Sequence, residues 1–410
     1  MALAHAAQHF ADSHHLEHRA VIIDHGIRDN SGAEAQSVQA ELSRHDIRST
    51  IITVSEPAPS AGIQDWARRQ RLRLLTSEAR HAGAALLFGH QQDDQAETVM
   101  MRLARGSGLD GLRGMVRATR HQGVWCLRPF LDICRQELKD YCQHHDLRFV
   151  SDPSNQDVRF ERVRARTLLR SEEMAGMSHS LLRLSSASQS LSEQLRERLL
   201  SWLAAHARYI PGLLLELPLP AYQACSPAVQ SRLLHLIITM MGPDDYPPSA
   251  DSISRLNQAV DSGRPSTLGG CYITRRSGQL SVQPEWGRKV PEPIQIAPAQ
   301  TVWFDNRWLI SSASAGQVMR YGSLSPEARA EFADRLKSLP ARVRMMIPVC
   351  AGLDGRLYSP HFEDTGWFLT DDPYGAQSPE APFLAASHIS GQLWEQLALM
   401  RKHQTGLSDD

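Results

Sequence analysis

Residues 88–108 read "FGHQQDDQAETVMMRLARGSG". The segment leading into them, "AALLFGH" (84–90), is an apolar run of strand length that stops at Gly89, and a proline-free, helix-forming run follows. At about 100° per residue, Ala96, Val99, Met100 and Leu103 share one narrow stripe, which the spacing predicts to be the buried face. His90, Asp94, Glu97, Met101 and Arg105 lie roughly opposite, within about 80° of one another. A strand that hands its C-terminal end straight to a helix is where open α/β sheets place their ligands. The same charges at i,i+3 and i,i+4 also describe an ordinary solvated helix face, and spacing alone does not choose.

Working outward, the first third of the chain alternates cleanly. A helical start, "MALAHAAQHFADSHH", leads to the strand "RAVIID", the helix "AEAQSVQAELSRHD", the strand "STIITV", the arginine-rich helix "GIQDWARRQRLRLLTSEARHAG", and then "AALLF". That alternation predicts a mostly parallel, Rossmann-like sheet covered on both faces. A further helix is expected from about Asp132, broken before Pro153. Next comes a long amphipathic, charged helix, "SHSLLRLSSASQSLSEQLRERLLSWLAAHARY", and past Pro211 the proline, glycine and serine content rises. There "TLGGCYITRRSGQLSVQPE" reads as a hairpin turning at Arg276-Ser277-Gly278. A second boundary is expected near "VPEPIQIAPAQ", with short strands beyond. The expected domains are 1–175, an α/β nucleotide-binding unit; 176–290, a helical linker and central domain; and 291–410, a small α+β C-terminal domain.

With 410 residues there is chain enough for two to three full cores. The formal net charge of −1 gives no global bias toward nucleic acid or membrane. Only four of the 44 basic residues are lysine; arginine is the better fork for phosphate, and coding bias explains the imbalance equally well. The six cysteines form no C-x-x-C pair, which points to a reducing, cytoplasmic setting. No apolar run approaches the roughly 18 residues of a membrane span.

"RGSGLDGLRG" (105–114) satisfies G-x-G-x-x-G, but it closes a helix instead of opening one, so it fails as a dinucleotide fingerprint and reads as a C-cap and flexible loop. In "DPSNQDVRFERVRARTLLR", Arg159, Arg162, Arg166 and Arg170 fall within about 80° of arc on a helix. Like charges at i,i+4 repel, so the stripe wants an anionic partner, either the protein's own acids or a polyphosphate backbone. Asp24, His25 and Arg28 sit at the C-terminal edge of the first strand, a position that suits a ligand crevice or a hydrogen-bonded loop. A nucleotide-binding α/β domain also grips phosphate in a glycine-rich loop after its first strand, yet no glycine precedes Gly26.

Together these segments resemble the tRNA(Ile)-lysidine synthetase family of PP-loop ATPases. The resemblance rests on "IDHGIR", "WARRQR", "FGHQQDDQAETVMMRLARGSGLDGL", "LRPFLDICRQEL" and "SDPSNQDVRFERVRAR", in the family's order over roughly residues 20 to 170; "LGGCYITRRSGQL" and "FDNRWLI" match more weakly. It implies a carbon–nitrogen ligase that uses ATP and Mg²⁺ to adenylate C2–O of the wobble cytidine in a CAU-anticodon isoleucine tRNA. The side-chain amine of free lysine then displaces AMP to give lysidine. Carried over by motif, His90, Asp94 and Glu97 would hold and activate lysine, with Arg105 beside them in catalysis. Arg68, Arg71, Arg102 and Arg105 would face ATP and the cytidine, and Asp24 and His25 would line the nucleotide crevice. Asn155, Arg159, Arg162 and Arg166 would lie on the tRNA side, and no protein metal ligand is assigned. A homodimer is compatible with this reading.

The family's S-G-G-x-D-S phosphate loop should directly precede "MALAHA", and it does not appear. A start assigned too late is the expected cause, leaving the sheet without a middle strand. Strands 20–24 and 84–88 would then sit roughly 10 Å apart instead of pairing directly. The alternatives are a non-catalytic tRNA-binding remnant and a sister PP-loop tRNA-modifying enzyme. The missing C-x-x-C speaks against iron–sulfur thiolation.

Overall fold

The computed structural model describes residues 1–27, 30–121, 124–149, 159, 161–210, 212–242, 248–285, 290–298, 300–305, 307–312, 315–334, 336–337, 339–353, 357–358 and 367–369. They fall into two compact units that divide between Glu193 and Gln194.

The first unit runs α1 (Ala2–His14), β1 (Ala20–Asp24), α2 (Ser31–Arg44), β2 (Ser49–Thr53), α3 (Ile63–His81), β3 (Leu86–Leu87), α4 (Gln92–Ala104) and α5 (Leu109–Leu112). Then come β4 (Ala118–His121), β5 (Val124–Leu127), α6 (Arg135–His144), α7 (Glu161–Leu169) and α8 (Met177–His206), whose last residues belong to the second unit. The alternation through α4 is the one the apolar periodicity predicts. The hairpin of β4 and β5 is new, because "ATRH" and "VWCL" are too short to show a period.

β1 pairs with β2 in parallel, Ile22 opposite Ile51. β3 pairs with β5 in parallel, Leu86 opposite Cys126, and β4 adds an antiparallel edge. These are two separate sheets, so β1 and β3 share no ladder. Central strands of a parallel sheet are normally buried on both faces. Every residue of β1 and of β3 is only half-buried.

In the second unit, β6 (Arg208–Ile210), β7 (Leu214–Pro218), α9 (Leu219–Gln223), α10 (Pro227–Met241), α11 (Ala250–Asp261), β8 (Ser266–Leu268), β9 (Cys271–Arg276) and β10 (Gln279–Pro284) form one layered piece. Its antiparallel sheet has the order β6-β7-β10-β9-β8, and Leu233, Ile237 and Met241 of α10 pack with Leu280 and Val282 in its core. The hairpin of β9 and β10 turns at Ser277 and Gly278, φ 49° and 74°, the doubly positive turn that matches strand twist. A second core gathers Phe304, Ile310, Val318, Val343 and Val349. It is built from β11 (Ile294–Ile296), β12 (Thr301–Phe304), β13 (Trp308–Ser312), β14 (Gly316–Arg320), α12 (Pro326–Ala333), α13 (Ala341–Arg344), β15 (Pro348–Gly352), β16 (Leu357–Tyr358) and β17 (Trp367–Leu369).

Four imidazoles meet in the first unit. The His5 ring lies 4.5 Å from His9, 4.7 Å from His145 and 5.8 Å from His45, and its Nδ1 is 2.8 Å from the Tyr141 hydroxyl. Burial, then the neighbouring His9, His145 and His45, pushes His5 from 6.5 down to about 4. Between those values the unfolded chain takes up a proton that the folded chain refuses, so the His5 contribution is whole above pH 6.5 and is lost as the pH falls toward 4. Urea unfolding at pH 7 and pH 5 should show a loss on the order of 1 kcal/mol, allowing for solvent screening, and His5→Gln should flatten that difference.

Candidate active site

α4 starts where β3 ends, and its first turn is built by its own side chains. Gln91 accepts from the Asp93 amide at 2.8 Å, and Asp94 reaches back to accept from the Gln91 amide at 3.0 Å, a reciprocal cap that fixes the Asp94 carboxylate at the crevice end of the helix. Ala96 and Val99 are buried as their spacing predicts, but Leu103 is 48% exposed while Glu97 is 1% exposed. The buried face is thus rotated toward Gln95 and Glu97. A carboxylate survives there because it is fully paired.

The pairing comes from α7. Arg166 donates from Nε to Glu97 at 2.6 Å and from a terminal nitrogen at 3.2 Å; Arg162 donates from Nε to Glu97 at 2.8 Å. A terminal nitrogen of Arg162 also stands 2.8 Å from Asp94. Two members of the arginine stripe therefore find the protein's own acids, the partner that spacing had left open. Hydrogen bonding to Glu97, above all, holds the Arg166 guanidinium above its ordinary range. Burial, opposed by Arg162, raises Asp94.

The field at His90 is cationic. His90 is pushed from 6.5 down to about 4, first by burial and then by Arg128, Arg162, Arg68 and Arg71. It is neutral at pH 7, with its buried Nδ1 unpartnered among the described residues. Burial, then Arg68 and Arg162, lowers Arg71, and burial, then Arg71, lowers His25, whose ring lies 6.2 Å from Trp66. Asp24 accepts from the Gly26 amide at 3.0 Å. The expected His25, Arg68, Arg71 and His90 thus converge electrostatically. Arg128 joins them, 5.8 Å from the Phe88 ring centroid; it lies in the "LRPFLDICRQEL" stretch but had been given no role. Its signal was positional, since it stands just past the C-terminal end of β5, a strand parallel to β3.

Three expectations shift. Arg102 donates at 2.8 Å to the Gly111 carbonyl and at 2.7 Å to Gly114, so it braces the glycine segment and does not turn that guanidinium edge to a nucleotide. That segment is no loose loop: Gln95 donates to the Met115 carbonyl and accepts from its amide, at 2.8 and 2.7 Å. Gly114, at φ 66°, leaves no room for a Cβ against the Gln95 amide. Arg105, exposed, pairs with Glu161 at the start of α7. Arg159 is exposed, and its carbonyl accepts from Arg164. Asn155 and Arg28 lie outside the described residues. Among the described residues no cluster of three His, Cys, Asp or Glu side chains suits a metal ion.

Removing one partner of a buried ion pair strands the other charge. Glu97→Gln and Arg166→Gln should each lower stability in urea by about 3–5 kcal/mol. The double variant should cost clearly less than the sum, and strict additivity would show that the pair is not coupled.

Residues 1–173 match the PP-loop domain family. The tRNA(Ile)-lysidine synthase of Ruegeria pomeroyi is 31% identical over 307 residues, covering 74% of this chain and 70% of that protein. The one from Hyphomonas neptunium is 32% identical over 321 residues, covering 75% and 84%. The U34-tRNA thiolase NcsA from Methanococcus maripaludis, solved with its [4Fe-4S] cluster, is 14% identical with a TM-score of 0.38, covering 46% of this chain and 68% of that one. With an acid pair at the head of α4 and relatives matched over most of their length, the chain belongs to the tRNA(Ile)-lysidine synthase family of ATP-using tRNA-modifying ligases.

Proposed function

We propose that this chain ligates free lysine to C2 of the wobble cytidine in a CAU-anticodon isoleucine tRNA, by way of an adenylated cytidine. The observation that carries this reading is the Asp94–Arg162–Glu97 ion-pair cluster on the helix that follows β3, beside a His90 that feels Arg68, Arg71, Arg128 and Arg162. In the first step the cytidine O2 attacks the α-phosphorus of ATP and pyrophosphate leaves. Arg68, Arg71 and Arg128 neutralise the phosphates, a charge that guanidiniums held in place beforehand stabilise. In the second step the lysine amine forms a bond to C2, and AMP leaves with the former O2.

The amine arrives as an ammonium and must shed a proton. His90, pushed down to about 4, holds a proton weakly, while burial raises the proton affinity of Asp94. We therefore assign Asp94 to hold the ammonium and take its proton, and His90 to accept a hydrogen bond while neutral. A strand seated between the outer edges of β1 and β3 would join the two sheets into one, and that is where a loop gripping pyrophosphate belongs. The parts from residue 176 onward are assigned to holding the tRNA, and a cytoplasmic setting goes with that substrate.

The test is ATP-dependent incorporation of labelled lysine into unmodified tRNA(Ile). Asp94→Asn should lower it on the order of 100-fold, the cost of losing one member of a buried charge pair. His90→Gln should lower it less than about tenfold, since no proton is stored there. Full activity in Asp94→Asn would remove the central assignment.

A further inference from the structure

The carboxylates assigned to lysine are already taken. Both oxygens of Glu97 accept from Arg162 and Arg166, one oxygen of Asp94 faces Arg162, and the other caps α4. An arriving ammonium carries the same charge as these guanidiniums and needs the same acceptors. It cannot simply be added beside them.

How α7 is attached then matters. Ala165 is its one buried residue, and Leu168 stands 42% exposed. Its hold on α4 is ionic, supplemented by the exposed pair of Glu161 with Arg105. An apolar hold would be indifferent to a polyanion, whereas an ionic one can be exchanged. A guanidinium forks onto phosphate as well as onto carboxylate, so each arginine that changes partner keeps its charge-assisted bonds. Arg159, Arg164 and Arg170, on the same segment, add to its attraction for a phosphate backbone.

We propose that α7 is an exchangeable counter-ion: tRNA phosphates draw Arg162 and Arg166 off α4, and the freed Asp94 and Glu97 then accept the lysine ammonium. Leaving a buried carboxylate bare is costly, so departure of the arginines and arrival of the ammonium are coupled. Binding of tRNA licenses binding of lysine, and by linkage lysine tightens tRNA to the same degree. The amine is thereby admitted only when a cytidine is present to receive it. This inference rests on the ligase reading above.

Equilibrium dialysis of labelled L-lysine against the full chain tests it, without ATP and with or without unmodified CAU-anticodon tRNA(Ile). The natural sequence should bind lysine about tenfold or more tightly when tRNA is present, a comparison that needs no variant. Arg162→Gln, checked for folding by circular dichroism, should bind lysine more tightly than the natural sequence in the absence of tRNA. Its response to tRNA should shrink to about twofold or less, while Arg162→Lys should keep an intermediate response. Equal lysine affinity with and without tRNA would overturn the exchange and leave the ligase reading standing. No lysine binding in any arm, together with full activity in Asp94→Asn, would overturn both.

Discussion

The first unit turns on a carboxylate that is hidden from water. Glu97, 1% exposed on a helix whose other buried positions are Gln95, Ala96 and Val99, is tolerable only because two guanidiniums reach it from α7. That constraint orients α4 and docks α7, and it leaves Asp94 at the mouth of the crevice. A stray buried charge costs several kcal/mol, and a well-paired one returns much of that only if the geometry is held. The capped first turn and the glycine segment braced by Arg102 and Gln95 supply the holding. The polar groups of this helix are thus engaged along its whole length.

Much of the fold was legible because it follows from local rules. Strands of two to five residues alternating with helices of 13 to 19 follow apolar runs that can be read without any knowledge of neighbours. The turn at Ser277-Gly278 was legible for the same reason, since few residues tolerate two successive positive φ angles. What escaped were features decided by partners far along the chain. A helical wheel treats Glu97 as an outward charge; its burial depends on arginines 65 and 69 positions away. Leu103 is the converse, an apolar residue on the right stripe that nothing covers. The His5 cluster likewise joins α1 to the ends of α2 and α6, which no spacing announces.

The site was legible by residue type more than by role. The family's motif grouped His90 with Asp94, and each of them feels the Arg162 guanidinium. It did not say that four arginines would keep that histidine neutral, nor that Arg128 would be one of them. Position past a parallel strand was the available clue, and a lone arginine before a proline drew no attention. Arg102 and Arg105 also make contacts that their membership of a charged run did not announce. Both are spent on holding the segment between α4 and α7 in place.

Two electrostatic regimes therefore share one crevice, and the proposed reaction needs both in sequence. A guanidinium wall favours building up phosphate charge, which suits activation of a carbonyl oxygen, and it opposes any ammonium brought near it. A carboxylate pair favours the ammonium and would oppose the phosphates if it stood open to them. Covering the acids with arginine from α7 removes that second conflict until tRNA arrives. Uncovering them supplies the amine with both a counter-charge and, in Asp94, a base whose affinity for protons burial has raised. The acceptor must also lose its proton again before the next turnover. His90, held neutral throughout, moves no charge in either step.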